Sequence, residues 1–200
     1  PVADPGLSAM RRALDFLYLA SGVLAAVFLV AIALVVLAQV GANMLGTVSD
    51  WLTGDPLGLI VPSYAQFTGY FLAASSFLAL AYTLRVGGHI RVRLLIRGAP
   101  PALRRVIEVW CCALGGLTAG YFTWWAGALT LESWRFGDMS FGMVPVPLWI
   151  PQSAMVLGLA VLTVSFLDEL AGVLRGRTPT FEAAGTARAQ GGEDTASPIR

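Results

Sequence analysis

Few side chains in this chain could carry out chemistry, and their spacing argues against most reactions. His89 is the single histidine, so one copy cannot assemble a bis-histidine haem, and no cluster of Cys, His and carboxylate has metal-ligand spacing. Cys111 and Cys112 are adjacent; on a helix their side chains diverge, so they cannot bridge without distortion and read as small packing residues. No CxxC redox pair occurs. Gln39 and Asn43 lie towards one end of an apolar stretch, and Glu108, Asp168 and Glu169 lie at helix ends. They read as interface or interhelix hydrogen-bonding groups, because an ion path would place ionisable groups or broken helices at mid-membrane. No catalytic residue, cofactor, metal or nucleic-acid partner is expected.

What must position these groups is a set of four long apolar stretches. Phe16 to Ser49 carries no ionisable side chain, and its centre, SGVLAAVFLVAIALVVLAQVGA, exceeds the ~20 residues that cross a ~30 Å hydrocarbon core. The others run from Pro56 to Leu84, Val109 to Leu131 and Met139 to Leu167. They are continuous rather than alternating, which selects helices over barrel strands. The mean hydropathy of +0.72, with 12% charged residues, excludes an ordinary soluble domain. The expectation is an all-α integral membrane protein of four transmembrane helices, about 14–43, 63–84, 104–131 and 149–171, within a membrane domain over 1–177. Residues 178–200 are poor in apolar side chains and read as a disordered cytoplasmic tail. Arg11 and Arg12 precede an apolar run too long for a signal peptide, so helix 1 is expected to be retained.

All thirteen basic residues are arginines, and their distribution sets an orientation. Arg11 and Arg12 precede helix 1; Arg85, Arg91, Arg93, Arg97, Arg104 and Arg105 join helices 2 and 3; Arg175 and Arg177 follow helix 4. The other two loops hold Asp50 and Asp55, and Arg135 beside Glu132 and Asp138. The positive-inside rule then places both termini and the middle loop in the cytoplasm. Trp51, Tyr64, Tyr82, Trp110, Trp134 and Trp149 fall where interfacial anchors are expected, and Trp124 and Trp125 approach the outer face.

The connections carry further expectations. The middle loop, GGHIRVRLLIRGAPPALRR, interleaves apolar residues with arginines and should lie on the membrane surface against lipid headgroups or a partner, with Pro101 in the first turn of helix 3. Pro145, Pro147 and Pro151 disfavour regular helix until about Trp149, so the chain enters helix 4 through a bend. Gly116 and Gly120 form a GxxxG extended at i±4 spacing by Cys112 and Trp124, and Gly22 with Ala26 forms a small-xxx-small pair. These are candidate helix-packing residues, for contacts within the four-helix unit or for self-dimerisation.

The passage FLALAYTLRVGGHIRVRLL, Phe77 to Leu95, resembles the small membrane subunit of TRAP (tripartite ATP-independent periplasmic) transporters, the DctQ-like family, at the cytoplasmic end of its second helix. Arg85, Gly88, His89, Ile90 and Val92 carry the likeness; a second match is Trp134 to Pro147, with Gly137 and Ser140. The resemblance extends from about Arg12 to Arg175. The chain departs from many relatives in having Arg93 where they are acidic, and in the uncharged SYAQFTGY stretch before helix 2 where they carry a glutamate.

The resemblance implies a non-catalytic scaffold subunit in the bacterial inner membrane. Its implied partners are a large permease subunit, which carries organic acid and sodium in an elevator-type movement, and a periplasmic solute-binding protein. Arg85, His89, Arg91 and Arg93 are then candidates for contact with the partner or with membrane lipids. Two other readings stand beside it: a membrane anchor for a redox complex, against which the single loop histidine argues, and an autonomous small four-helix transporter.

Overall fold

The computed structural model describes residues 5–55, 58–86 and 100–175. It is all-helical, with α1 (Pro5–Thr53), α2 (Tyr64–Arg85), α3 (Pro101–Phe136) and α4 (Trp149–Leu174). All four are long and apolar enough to cross a membrane. Among the described residues the one departure from helix and loop is an isolated antiparallel bridge, Met139 to Pro147.

The bounds follow local chemistry. Pro101 occupies the first turn of α3, where the missing N–H costs nothing. Gly137 ends that helix at φ 67°, a left-handed position that closes it through the Asp138 N–H to the Ser133 carbonyl. α4 begins at Trp149, after the prolines, as the bend requires. α1 is longer than the expected 14–43 at both ends. No proline falls between Met44 and Thr53, and the helix runs through Gly46; the turn comes only at Gly54, φ 74°. The proposed tail, 178–200, lies outside the described residues.

The helices form a row rather than a closed ring. α2 packs between α1 and α4, and α4 between α2 and α3; α1 meets α4 only slightly. α1 and α2 are antiparallel and in register: Ser21 Oγ donates to the Leu78 carbonyl at 2.5 Å, Ser75 Oγ to the Ala25 carbonyl at 2.9 Å, and Phe28 meets Phe71 with ring centroids 5.6 Å apart. Further along, Gln39 Oε1 accepts from the Val61 N–H at 3.0 Å. Residues 40–53 of α1 therefore extend past the end of α2, by roughly 20 Å at 1.5 Å per residue.

The central pair, α2 and α4, runs parallel, with Gly158 against the backbone of Phe77 and Leu78. A Cβ at Gly158 would lie 2.5 Å from the Phe77 carbonyl carbon, so the two backbones touch. α3 and α4 are antiparallel, with Gly115 and Gly116 against Phe166, Gly120 against Thr163, and the Thr123 and Thr163 hydroxyls 3.1 Å apart. The buried core is narrow: Tyr18, Ala81, Leu84, Ala119 and Leu162. Small residues dominate the packing because, without a hydrophobic drive between helices in lipid, close backbone approach supplies the attraction.

Candidate functional site

A cluster of charged and polar side chains sits where α2 ends. Arg85 is the last residue of α2, where a cation complements the helix dipole. Its guanidinium forks: Nη1 donates to Asp168 Oδ2 of α4 at 2.9 Å, and Nη2 pairs with Asp15 Oδ1 of α1. The same group lies 4.8 Å from the ring centre of Tyr18, a cation–π contact. The Arg85 side chain is 16% exposed, against 23% for Asp168 and 57% for Asp15, so the Asp168 pair is the better shielded. Three helices thus meet on one planar, five-donor group, a task a lysine ammonium cannot reproduce.

Beneath the arginine, Tyr18 is buried, and its hydroxyl lies beside that of fully buried Ser165; neither closes a hydrogen bond of ordinary geometry. Glu169 is buried nearby. Arg105 of α3 donates through Nη2 to the Leu174 carbonyl at 2.9 Å, satisfying one of the free carbonyls at the end of α4. Two arginines therefore tie all four helices at one end of the row. The arrangement fixes helices to one another. Among the described residues no group of three or more His, Cys, Asp and Glu could hold a metal ion.

The opposite end has its own clasp. Ser140 is central to a short hairpin: its N–H donates to the Val146 carbonyl at 2.9 Å and its Oγ accepts from the Val146 N–H at 2.9 Å. Gln66 of α2 donates to Ser140 Oγ, and the Val144 N–H donates to Ser63 Oγ at 3.0 Å. Ser63 takes the left-handed conformation, φ 54°, to present that oxygen. Gly137 and Ser140, which carry the second sequence likeness, thus have separate structural tasks, one ending a helix and the other closing a hairpin.

Of the residues singled out in the sequence, Arg85 is committed to contacts inside the chain. His89, Arg91 and Arg93 lie outside the described residues. Gly116 and Gly120 face α4, but Trp124 does not continue their face: it is 75% exposed. Each i+4 step on a helix overshoots a full turn by about 40°, so the row 112, 116, 120, 124 rotates off the interface. The packing stripe is instead Cys112, Gly116, Ala119, Thr123 and Ala126. Ala26 likewise turns outward, while Gly22 packs on Tyr82 and Ala25 is buried. Cys111 is exposed and Cys112 buried, as divergence requires.

Sequence reasoning missed Asp15, Tyr18, Gly115, Gly158 and Gln66. The available signal for Asp15 was its place just before the uncharged run, opposite an arginine closing the next span. Arg11 and Arg12, four and three residues earlier, are equally spaced for a local pairing on the helix, so the sequence alone does not single out the distant arginine.

Comparison with known proteins agrees with this architecture. No curated protein and no solved structure matches the chain. The family model described as "Tripartite ATP-independent periplasmic transporters, DctQ component" matches residues 58–176, more than half of the chain. With four membrane-length helices and a match from the start of α2 to the end of α4, the chain belongs to the DctQ family, the small component of TRAP transporters.

Proposed function

We propose that this chain is the non-catalytic scaffold subunit of its transporter in the bacterial inner membrane, with both termini cytoplasmic. It assembles with a large permease subunit and a periplasmic solute-binding protein for sodium-coupled uptake of organic acids such as C4-dicarboxylates. The observation that carries this reading is the row of helices. A single row of helices, tied at one end by Arg85 and Arg105 and at the other by Ser140 and Gln66, presents broad apolar surface to its surroundings. An elevator-type carrier needs a fixed frame that resists tilting in the bilayer, and a strip of four anchored helices widens such a frame. The charges lie where the strip ends rather than along it, which suits support more than conduction. His89, Arg91 and Arg93, following α2, contact headgroups or the permease in this reading.

Co-purification of the tagged chain from its native membrane in mild detergent, with mass spectrometry of the retained proteins, tests it. Recovery of a much larger multi-pass protein in fixed ratio supports the reading. Recovery of the chain alone, together with organic-acid uptake by liposomes holding only this chain, overturns it.

A further inference from the structure

The two helices at the edges of the row turn different faces outward. α1 has α2 as its principal neighbour and α3 has α4, so each leaves a broad surface uncovered. On α1 every exposed residue between Phe16 and Val40 is hydrocarbon, because Tyr18, Ser21 and Gln39 are buried. Acyl chains ask nothing more of a helix face. On α3 the stripe against α4 is Cys112, Gly116, Ala119, Thr123 and Ala126. At about 100° per residue the opposite face is centred on Tyr121, with Leu114, Leu117, Thr118, Trp124 and Trp125 around it. All six are exposed.

This face carries polar groups at a depth where lipid cannot satisfy them. No acidic or basic residue occurs between Glu108 and Glu132, and exposed Trp110 and Trp134 stand beside these charges as interfacial anchors do. Along the helix Tyr121 is roughly 20 Å from Glu108 and roughly 17 Å from Glu132, in the middle of the span. Its side chain is too short to carry the hydroxyl to either surface. It meets the rings of Phe122 and Trp125 at centroid separations of 5.9 and 6.3 Å, so the Trp125 ring lies at a similar level. Among the described residues, neither the Tyr121 hydroxyl nor the indole N–H of Trp124 or Trp125 has a hydrogen-bond partner. Thr118 adds a second hydroxyl one turn away. Every other described threonine, Thr123 and Thr130 of the same helix among them, donates its hydroxyl to the carbonyl four residues earlier; Thr118 does not. Hydroxyls left without a partner in hydrocarbon are costly, and polar side chains at such depth bind helix to helix.

We infer that the Tyr121 face of α3 docks a transmembrane helix of a second polypeptide, one that presents neutral hydrogen-bond acceptors at the level of Thr118, Tyr121 and Trp125. The acceptors are neutral because this face has no charge to pair with one so deep in the membrane. The spacing suits a helix: Leu114, Leu117, Tyr121 and Trp124 recur at intervals of three, four and three residues, the repeat of a helix–helix seam. In the function proposed above, on which this rests, that polypeptide is the large permease subunit, and the α1 edge is left to lipid.

The test uses the full tagged chain in its native membrane, with a photoactivatable benzophenone amino acid in place of Leu117 on α3 or of Val27 on α1. Irradiation before solubilisation should join the Leu117 derivative to the larger multi-pass protein that co-purifies with the parent chain, as identified by mass spectrometry of the adduct. The Val27 derivative should not capture it. An adduct at Leu117 between two copies of this chain, or to lipid alone, overturns the inference, as does capture of the larger protein at Val27 instead. If the larger protein does not co-purify with the parent at all, the proposed function falls too; if it co-purifies and Leu117 fails to capture it, only the docking face is wrong. A second measurement removes the hydroxyls and keeps the shape. Thr118→Val/Tyr121→Phe should melt like the parent chain in detergent but lose affinity for the larger protein roughly threefold for each hydroxyl removed, read from the fraction retained across a dilution series. Unchanged affinity would also overturn the inference.

Discussion

Gly158 offers a direct test of whether the central helices touch backbone to backbone. An added Cβ would fall 2.5 Å from the Phe77 carbonyl carbon, 2.6 Å from its oxygen and 2.8 Å from the Leu78 nitrogen. None of these atoms belongs to a side chain that can swing aside, so relief requires α2 and α4 to separate by about 1 Å to reach ordinary contact near 3.5 Å. Gly158→Ala therefore combines an overpacking cost of ~1–3 kcal/mol with a gain in helix propensity of ~0.5–1 kcal/mol. Gly127→Ala isolates the second effect, since Gly127 lies inside α3 with nothing within 4 Å of the added carbon. The difference between the two variants is the contact itself: at about 2–4 °C per kcal/mol for a chain of this size, Gly158→Ala should melt several degrees below Gly127→Ala. Thermal unfolding of both in one detergent, followed by tryptophan fluorescence, measures the gap. Equal melting temperatures would refute the backbone contact, and with it the parallel α2–α4 pair as the centre of the row.

Other positions separate by the same reasoning. Arg85→Met leaves the shielded Asp168 carboxylate without its cation and should cost ~3 kcal/mol, whereas Asp15→Asn, at a carboxylate more than half exposed, should cost under ~1 kcal/mol; melting curves of the two variants rank them. Arg85→Lys should recover only part of the loss, because an ammonium lacks the fork that reaches both carboxylates; a recovery equal to wild type would show that charge alone suffices. Ser140→Ala removes the oxygen that accepts from the Val146 N–H and from Gln66, so it should destabilise by ~1–3 kcal/mol and raise protease sensitivity at residues 139–147.

The four spans were legible because each is an uncharged run long enough to cross a bilayer, and the start of α4 was legible because prolines control it. The GxxxG at Gly116 and Gly120 was visible as a pattern, but its continuation to Trp124 was not reliable, since i+4 spacing drifts around the helix. The order of helices in the row was not legible. It depends on which small residues face one another, and Gly158 is one of twenty-two glycines with no local feature to distinguish it. Arg85 stood out in the sequence, but its partners are 70 and 83 residues away, a separation that no local spacing encodes. The helix continues past the expected 43 because one carboxylate, Asp50, and one glycine, Gly46, cost it little where no proline interrupts it, although Asp50 and Asp55 suggested a loop. Asp15 and all of α1 lie outside the matched family segment, yet α1 supplies one carboxylate of the Arg85 junction.

The position of α4 between α2 and α3 has a consequence for biosynthesis. Helices leave the ribosome in chain order, so α1 and α2 can pair as a hairpin as soon as both are made. α3 then enters the bilayer without its principal neighbour, because the helix it packs against has not yet been translated. α4, the last to arrive, must wedge between two segments already in the membrane, and it reaches both through small residues that leave room for a late insertion. A chain ending before Trp149 would hold one hairpin and one solitary helix. The architecture becomes a single unit only when its final helix is inserted.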